Sequence, residues 1–143
     1  MKGQFCLLAV ASALLVWGCG ENKLTQCEQI YRIAQGVTQG SKNVSYTNEE
    51  ELNEMKTWLE TARMMERAAN QIQALHINNI SLIEHQNKLA TVYHIYSQAT
   101  YNAVQARESK DLSALKLART DAQKAGEMQQ EVIKELNAYC LNK

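Results

Sequence analysis

The chain has no proline in its 143 residues, so no position forces a helix to break by losing a backbone donor and clashing with the preceding turn. Aromatic residues make up only 6% of it, and long helices become the default. It also has no excess of either charge, since 15 basic residues balance 15 acidic ones. A nucleic-acid partner is thereby excluded, because phosphate binding calls for a basic excess or a dense basic face, and no Lys/Arg run supplies one. No Gly-rich phosphate loop, nucleophile elbow, Glu-x-x-His pair, Cys-x-x-Cys or Cys-x-x-Cys-His is present, so the arrangements that carry phosphoryl, acyl, di-iron, redox or covalent-haem chemistry are missing. No enzyme and no cofactor is expected. The length suits a single domain.

What the chain does have begins at its first residues. Lys2 followed by an apolar stretch over 5–17 reads as a targeting segment, with a weakly positive start and a core of the length used for export. It is short for a membrane span, which needs about 20 apolar residues. An uncleaved anchor helix and an ordinary secretory signal are the plainer alternatives. The sharper one is that Val16-Trp17-Gly18-Cys19 resembles a bacterial lipobox, with small Gly18 before the cysteine, aliphatic Val16 three residues before it, and Trp17 as the departure. That resemblance implies cleavage before Cys19 and lipidation of its thiol, and acyl chains hold a protein to a bilayer by burying methylenes at about 0.8 kcal/mol each. The expected organisation is a signal peptide over 1–18, a lipidated tether over 19–23 and a helical domain over 24–143.

Of four cysteines, Cys6 would leave with the signal and Cys19 would carry lipid. Cys27 and Cys140 remain, near the two ends of the mature domain. In an oxidising compartment an even remainder reads as a disulfide; a metal site or a reactive thiol is the alternative.

Four helical segments follow. The first, over 24–39, carries Leu24, Cys27, Tyr31, Ala34 and Thr38 at spacings of three and four, and residues 41–46 form a polar connection. Thr47-Asn48-Glu49-Glu50 has the form of a capping box opening the second helix, whose stripe is Leu52, Met55, Leu59, Ala62, Met65, Ala69, Ile72 and His76, broadened by Trp58 and Met64. Asn and Ser residues over 76–81 predict a turn, and Ser81-Leu82-Ile83-Glu84 looks like a second capping box. Without that turn, residues 48–107 would form one helix of roughly 90 Å. The third helix, over 82–107, presents Leu82, Leu89, Val92, Tyr93, Tyr96, Ala99, Ala103 and Ala106, with Tyr101 facing outward. Asp111 then caps the fourth, which carries Leu112, Leu115, Ala118, Ala122, Ala125, Gln129, Val132, Leu136 and Cys140, with small residues in its middle for close helix approach. Four amphipathic segments on short links predict an all-α, up-down-up-down four-helix bundle. Its first and last helices share an end, where Cys27 and Cys140 would meet.

The remaining candidates have plain explanations. His76, His85 and His94 recur every nine residues, a spacing that puts neighbours on opposite sides of a helix, so no metal site is expected. Glu49, Glu50, Glu51 and Glu54 suit the N-terminal dipole of the second helix, with a weak cation site or docking patch as the alternative. Arg63 and Arg67, near Glu60 and Glu66, read as a salt-bridged surface. Tyr93, Tyr96 and Trp58 suit core packing better than a binding face.

The opening Cys27-Glu28-Gln29-Ile30-Tyr31 and the closing Glu135-Leu136-Asn137-Ala138-Tyr139-Cys140, with a lipobox ahead and helices between, resemble small exported proteins of cyanobacteria that have no assigned activity. In architecture alone the chain also looks like the lipid-anchored helical-bundle subunits on the lumenal side of photosystem II. The anchor, the short tether and the lack of catalytic constellations lead us to expect a non-enzymatic lipoprotein, held at a membrane through Cys19 on the exported side, that binds or stabilises a membrane or envelope protein complex. A periplasmic holdase or small-ligand-binding protein using Met55, Met64, Met65 and the Tyr-rich helix is the alternative.

Overall fold

A computed structural model describes residues 22–44 and 51–142. The leader, Cys6, Cys19 and the Thr47–Glu50 capping box lie outside the described residues. Four helices follow in order: α1 (Lys23–Val44), α2 (Glu51–Gln73), α3 (Ile80–Glu108) and α4 (Leu112–Leu141). α3 packs lengthwise against both α2 and α4, α1 lies mainly on α2, and α2 and α4 make no direct backbone contact. This is the diagonal relation expected of an up-down-up-down four-helix bundle.

The helix ends follow from local chemistry. α2 stops at Gln73, and a turn over 74–79 reverses the chain, so the single long helix over 48–107 is not formed. α3 starts earlier than expected: Asn79, extended at φ −83° and ψ 116°, is the N-cap, its Oδ1 accepting from the Leu82 amide at 3.1 Å. Ser81 thus lies inside the first turn and not at the cap, because Asn79 two residues earlier takes that place. Asp111 caps α4 as predicted, accepting from the Ala114 amide at 2.9 Å. Between α3 and α4, Lys110 takes the left-handed conformation at φ 56°, and the Asp111 amide donates back to the Ala106 carbonyl at 2.8 Å. α1 runs through Gly36 and Gly40 to Val44 rather than stopping near Gln39; glycine costs a helix about 1 kcal/mol but does not end it.

The core is built from Ile30, Ala69, Ile72, Leu82, Leu89, Val92, Tyr93 and Leu136. Most of the expected stripes of α3 and α4 are buried, but α1 is turned by about one residue. It buries Cys27, Ile30 and Val37, while Leu24 is 65% exposed and Thr38 is exposed. The reason is Tyr31, which sits at the core boundary so that its hydroxyl can donate to Asn137 Oδ1 at 2.6 Å. Full burial would have stranded that hydroxyl. His76 falls beyond α2 and is exposed, Leu112 at the start of α4 is 79% exposed, and Tyr101 is half-buried rather than outward.

The small residues of α4 do bring helices together. A Cβ at Gly126 would stand 2.8 Å from the Tyr96 hydroxyl oxygen. Alanine is favoured over glycine in a helix by about 1 kcal/mol, so the two effects oppose each other. Gly126→Ala is expected to lower the urea midpoint in the native background and to raise it in a Tyr96→Phe background, where the obstructing oxygen is gone. The same sign in both backgrounds would mean that the close approach has no energetic weight.

Candidate functional site

Two regions at opposite ends of the bundle concentrate features that side-chain chemistry must account for. At the first end, Cys27 and Cys140 are joined by a disulfide, with Cα atoms 6.1 Å apart. Lys23 Nζ donates to the Asn142 carbonyl at 2.7 Å and lies 4.7 Å above the Tyr139 ring. The first turn of α1 and the last turn of α4 are thus tied covalently and by hydrogen bonds.

The same end holds a polar knot around the α2–α3 turn. Buried Gln26 donates from Nε2 to Asn78 Oδ1 at 2.6 Å, and its Oε1 accepts from the Asn78 and Asn79 amides at 3.2 and 3.3 Å. Buried Gln86 sends Nε2 to the Ile72 carbonyl at 2.6 Å and the Leu75 carbonyl at 3.0 Å, adding a second donor to carbonyls that also accept from the Leu75 and Ile77 amides at 3.2 and 3.1 Å. The Tyr139 hydroxyl donates to Asn79 Oδ1 at 2.8 Å. Neither glutamine was legible as structural in the sequence. The one signal was Gln86 standing between Leu82 and Leu89 on an otherwise apolar face.

On the α3–α4 seam Lys88 Nζ bridges Glu84 Oε1 and Glu135 Oε2, each at 3.0 Å. Its hydrogen bond to Glu84, then that to Glu135, hold the ammonium above its usual range, and Lys88 holds the exposed Glu84 carboxyl below its own. His85 Nδ1 is buried and lies 3.7 Å from Glu135 Oε2, beyond hydrogen-bond reach. Burial, with a smaller contribution from Tyr96, pushes the Tyr93 phenol up to about 12.

The other end is an apolar groove of about 610 Å³. Trp58 and Thr61 of α2 form one wall, Ala99 and Ala103 of α3 the floor, and the first turns of α4 the opposite wall. Arg107 stacks over Trp58 at 5.3 Å and pairs with Glu54 Oε2 at 3.2 Å.

Measured against the sequence candidates, the structure joins Cys27 to Cys140, leaves Cys19 outside the described residues and does not gather the histidines. Among the described residues no three His, Cys, Asp or Glu side chains converge as a metal site would require. Glu54 pairs with Arg107, and Glu49, Glu50 and the side chain of Glu51 lie outside what the structure describes. Arg63 and Arg67 form no ion pair among the described residues; Glu66 is adjacent in sequence to Arg67, and such neighbours do not face each other on a helix. Trp58, expected in the core, is half-buried and walls the groove. None of the described helices is long and apolar enough to cross a membrane. No protein-family model, no curated protein and no solved structure matches this chain.

Proposed function

We propose that the protein is a non-enzymatic, lipid-anchored helical bundle that binds or stabilises a membrane or envelope protein complex on the exported side of a membrane. The observation that carries this reading is the closure of one end of the bundle by the Cys27–Cys140 bond and the Lys23–Asn142 contact. A lipid on Cys19, just ahead of Asn22, would leave from that closed end through a very short tether. The bundle would stand on the membrane surface with its groove end outermost. A disulfide of this span also suits an exported chain. The holdase alternative needs an exposed adaptable surface, but Met55, Met64, Met65 and Tyr96 are all half-buried, which favours the packed-bundle reading.

Two measurements test it. Cys19→Ala is expected to release the protein from the membrane fraction or leave it as the unprocessed precursor, read by fractionation and intact mass. Wild-type fractionation and mass would end the lipid-anchor claim. In-cell cross-linking of the tagged protein, followed by membrane extraction and mass spectrometry, should return one dominant membrane complex. A scatter of unrelated exported proteins would favour the holdase instead.

A further inference from the structure

We propose that the groove at the end remote from the disulfide is a binding site for a free long-chain carboxylate: an apolar chain lies along the floor of small residues, and its carboxylate is held by Lys116 and Arg119. This stands whether or not Cys19 is acylated. The volume of about 610 Å³ falls among sites that take small organic ligands, and its mostly apolar lining is typical of them. The shape is that of a chain rather than a compact ring system. From Leu112 to Ala122 the α4 wall runs about 15 Å, and the floor of Ala99 and Ala103 leaves a trough rather than a set of side-chain knobs.

Charge selects the occupant's polar end. Lys116 and Arg119 lie on the α4 wall, and no described Asp or Glu lines the groove. Neither side chain has an ion pair or hydrogen bond among the described residues. An apolar trough with two cations on one wall, neither paired among the described residues, is complementary to an amphiphile with an anionic head. An amphiphile with a cationic head would be repelled by both. Trp58 on the facing wall gives the site an aromatic partner for the chain and a built-in reporter.

The test uses the full chain and brominated dodecanoate, whose bromine quenches a tryptophan it touches. Trp17 is the other tryptophan in the sequence, so the groove signal is the difference from Trp58→Phe. Saturable quenching that Trp58→Phe removes is expected. In competition, octanoate, decanoate and dodecanoate should bind about fourfold more tightly per added methylene. A Lys116→Gln, Arg119→Gln variant, altered only at exposed positions, should bind about fivefold or more weakly. Ala103→Leu, which fills the floor, should abolish the signal while helicity is retained. Dodecyltrimethylammonium binding as tightly as dodecanoate, or no response to the double glutamine variant, would overturn the proposal. So would the absence of Trp58 quenching, whether because residues outside those described occupy the groove or because a concentration-dependent dimer, dissolved by Ala103→Leu, shows a second copy there.

Discussion

Removing the disulfide should cost about 5 kcal/mol of unfolding free energy. The bond joins positions 113 residues apart, and in the chain-entropy account a closed loop of that length restricts the unfolded ensemble by about that amount. Cys27→Ala, Cys140→Ala, compared with the oxidised protein by urea denaturation, is the measurement. A loss below about 1 kcal/mol would mean that the unfolded chain is already compact enough to gain nothing from closure. The loss should also be uneven. α1 leans mainly on α2 and meets α4 only weakly, so amide exchange in the reduced protein should rise first in α1 while the centre of α3 stays protected.

The second large effect is expected at Gln86. Its side-chain NH₂ donates to the carbonyls of Ile72 and Leu75 in a buried setting. Gln86→Glu is nearly isosteric, yet it turns the donor into an acceptor aimed at acceptors. As a carboxylate it would be buried, uncompensated and repelled, a loss of about 3–5 kcal/mol near neutral pH. As a neutral acid it could still donate one hydrogen bond. The folded protein would therefore raise the carboxyl pKa above its unfolded value of about 4.3, and the sign follows: the variant holds its stability below that value and loses it as pH rises toward the folded pKa. Urea midpoints at acid and neutral pH decide this. A variant equally stable at both would mean that the carboxylate escapes to solvent and that the knot is not rigid. Gln86→Leu should cost less, about 1–3 kcal/mol, because it removes two buried hydrogen bonds but adds no charge, and the Ile72 and Leu75 carbonyls keep the Leu75 and Ile77 amides as donors.

Much of the architecture was readable from the chain because it is written in local terms. The three-and-four spacing on α3 and α4, the Asp111 cap and a turn near 76–81, which the structure places over 74–79, depend on residues within a few positions of one another. The rest depends on distant partners. α1 turns away from its most regular apolar spacing because Tyr31 must reach Asn137, across more than a hundred positions. Asn79 takes the capping role that Ser81 appeared to hold because Gln26 and Tyr139 fix the turn from outside. The groove was invisible for a different reason: its lining comes from three helices, with Trp58, Ala99 and Leu115 far apart in the sequence, and no local pattern links them. Ala99, Ala103 and Ala118 looked like core alanines, and Ala99 and Ala118 are indeed buried.

The closure of the two ends also determines how the molecule would respond to being pulled. Tension entering near Asn22 and leaving near Asn142 passes along one turn of α1, across the sulfur–sulfur bond, and out through the last residues of α4. The 113-residue span between the cysteines lies outside that path. A bundle held by packing alone would shear open when drawn from both termini. Here a covalent bond takes the strain, and the helices behind it, with their core and groove, remain mechanically at rest.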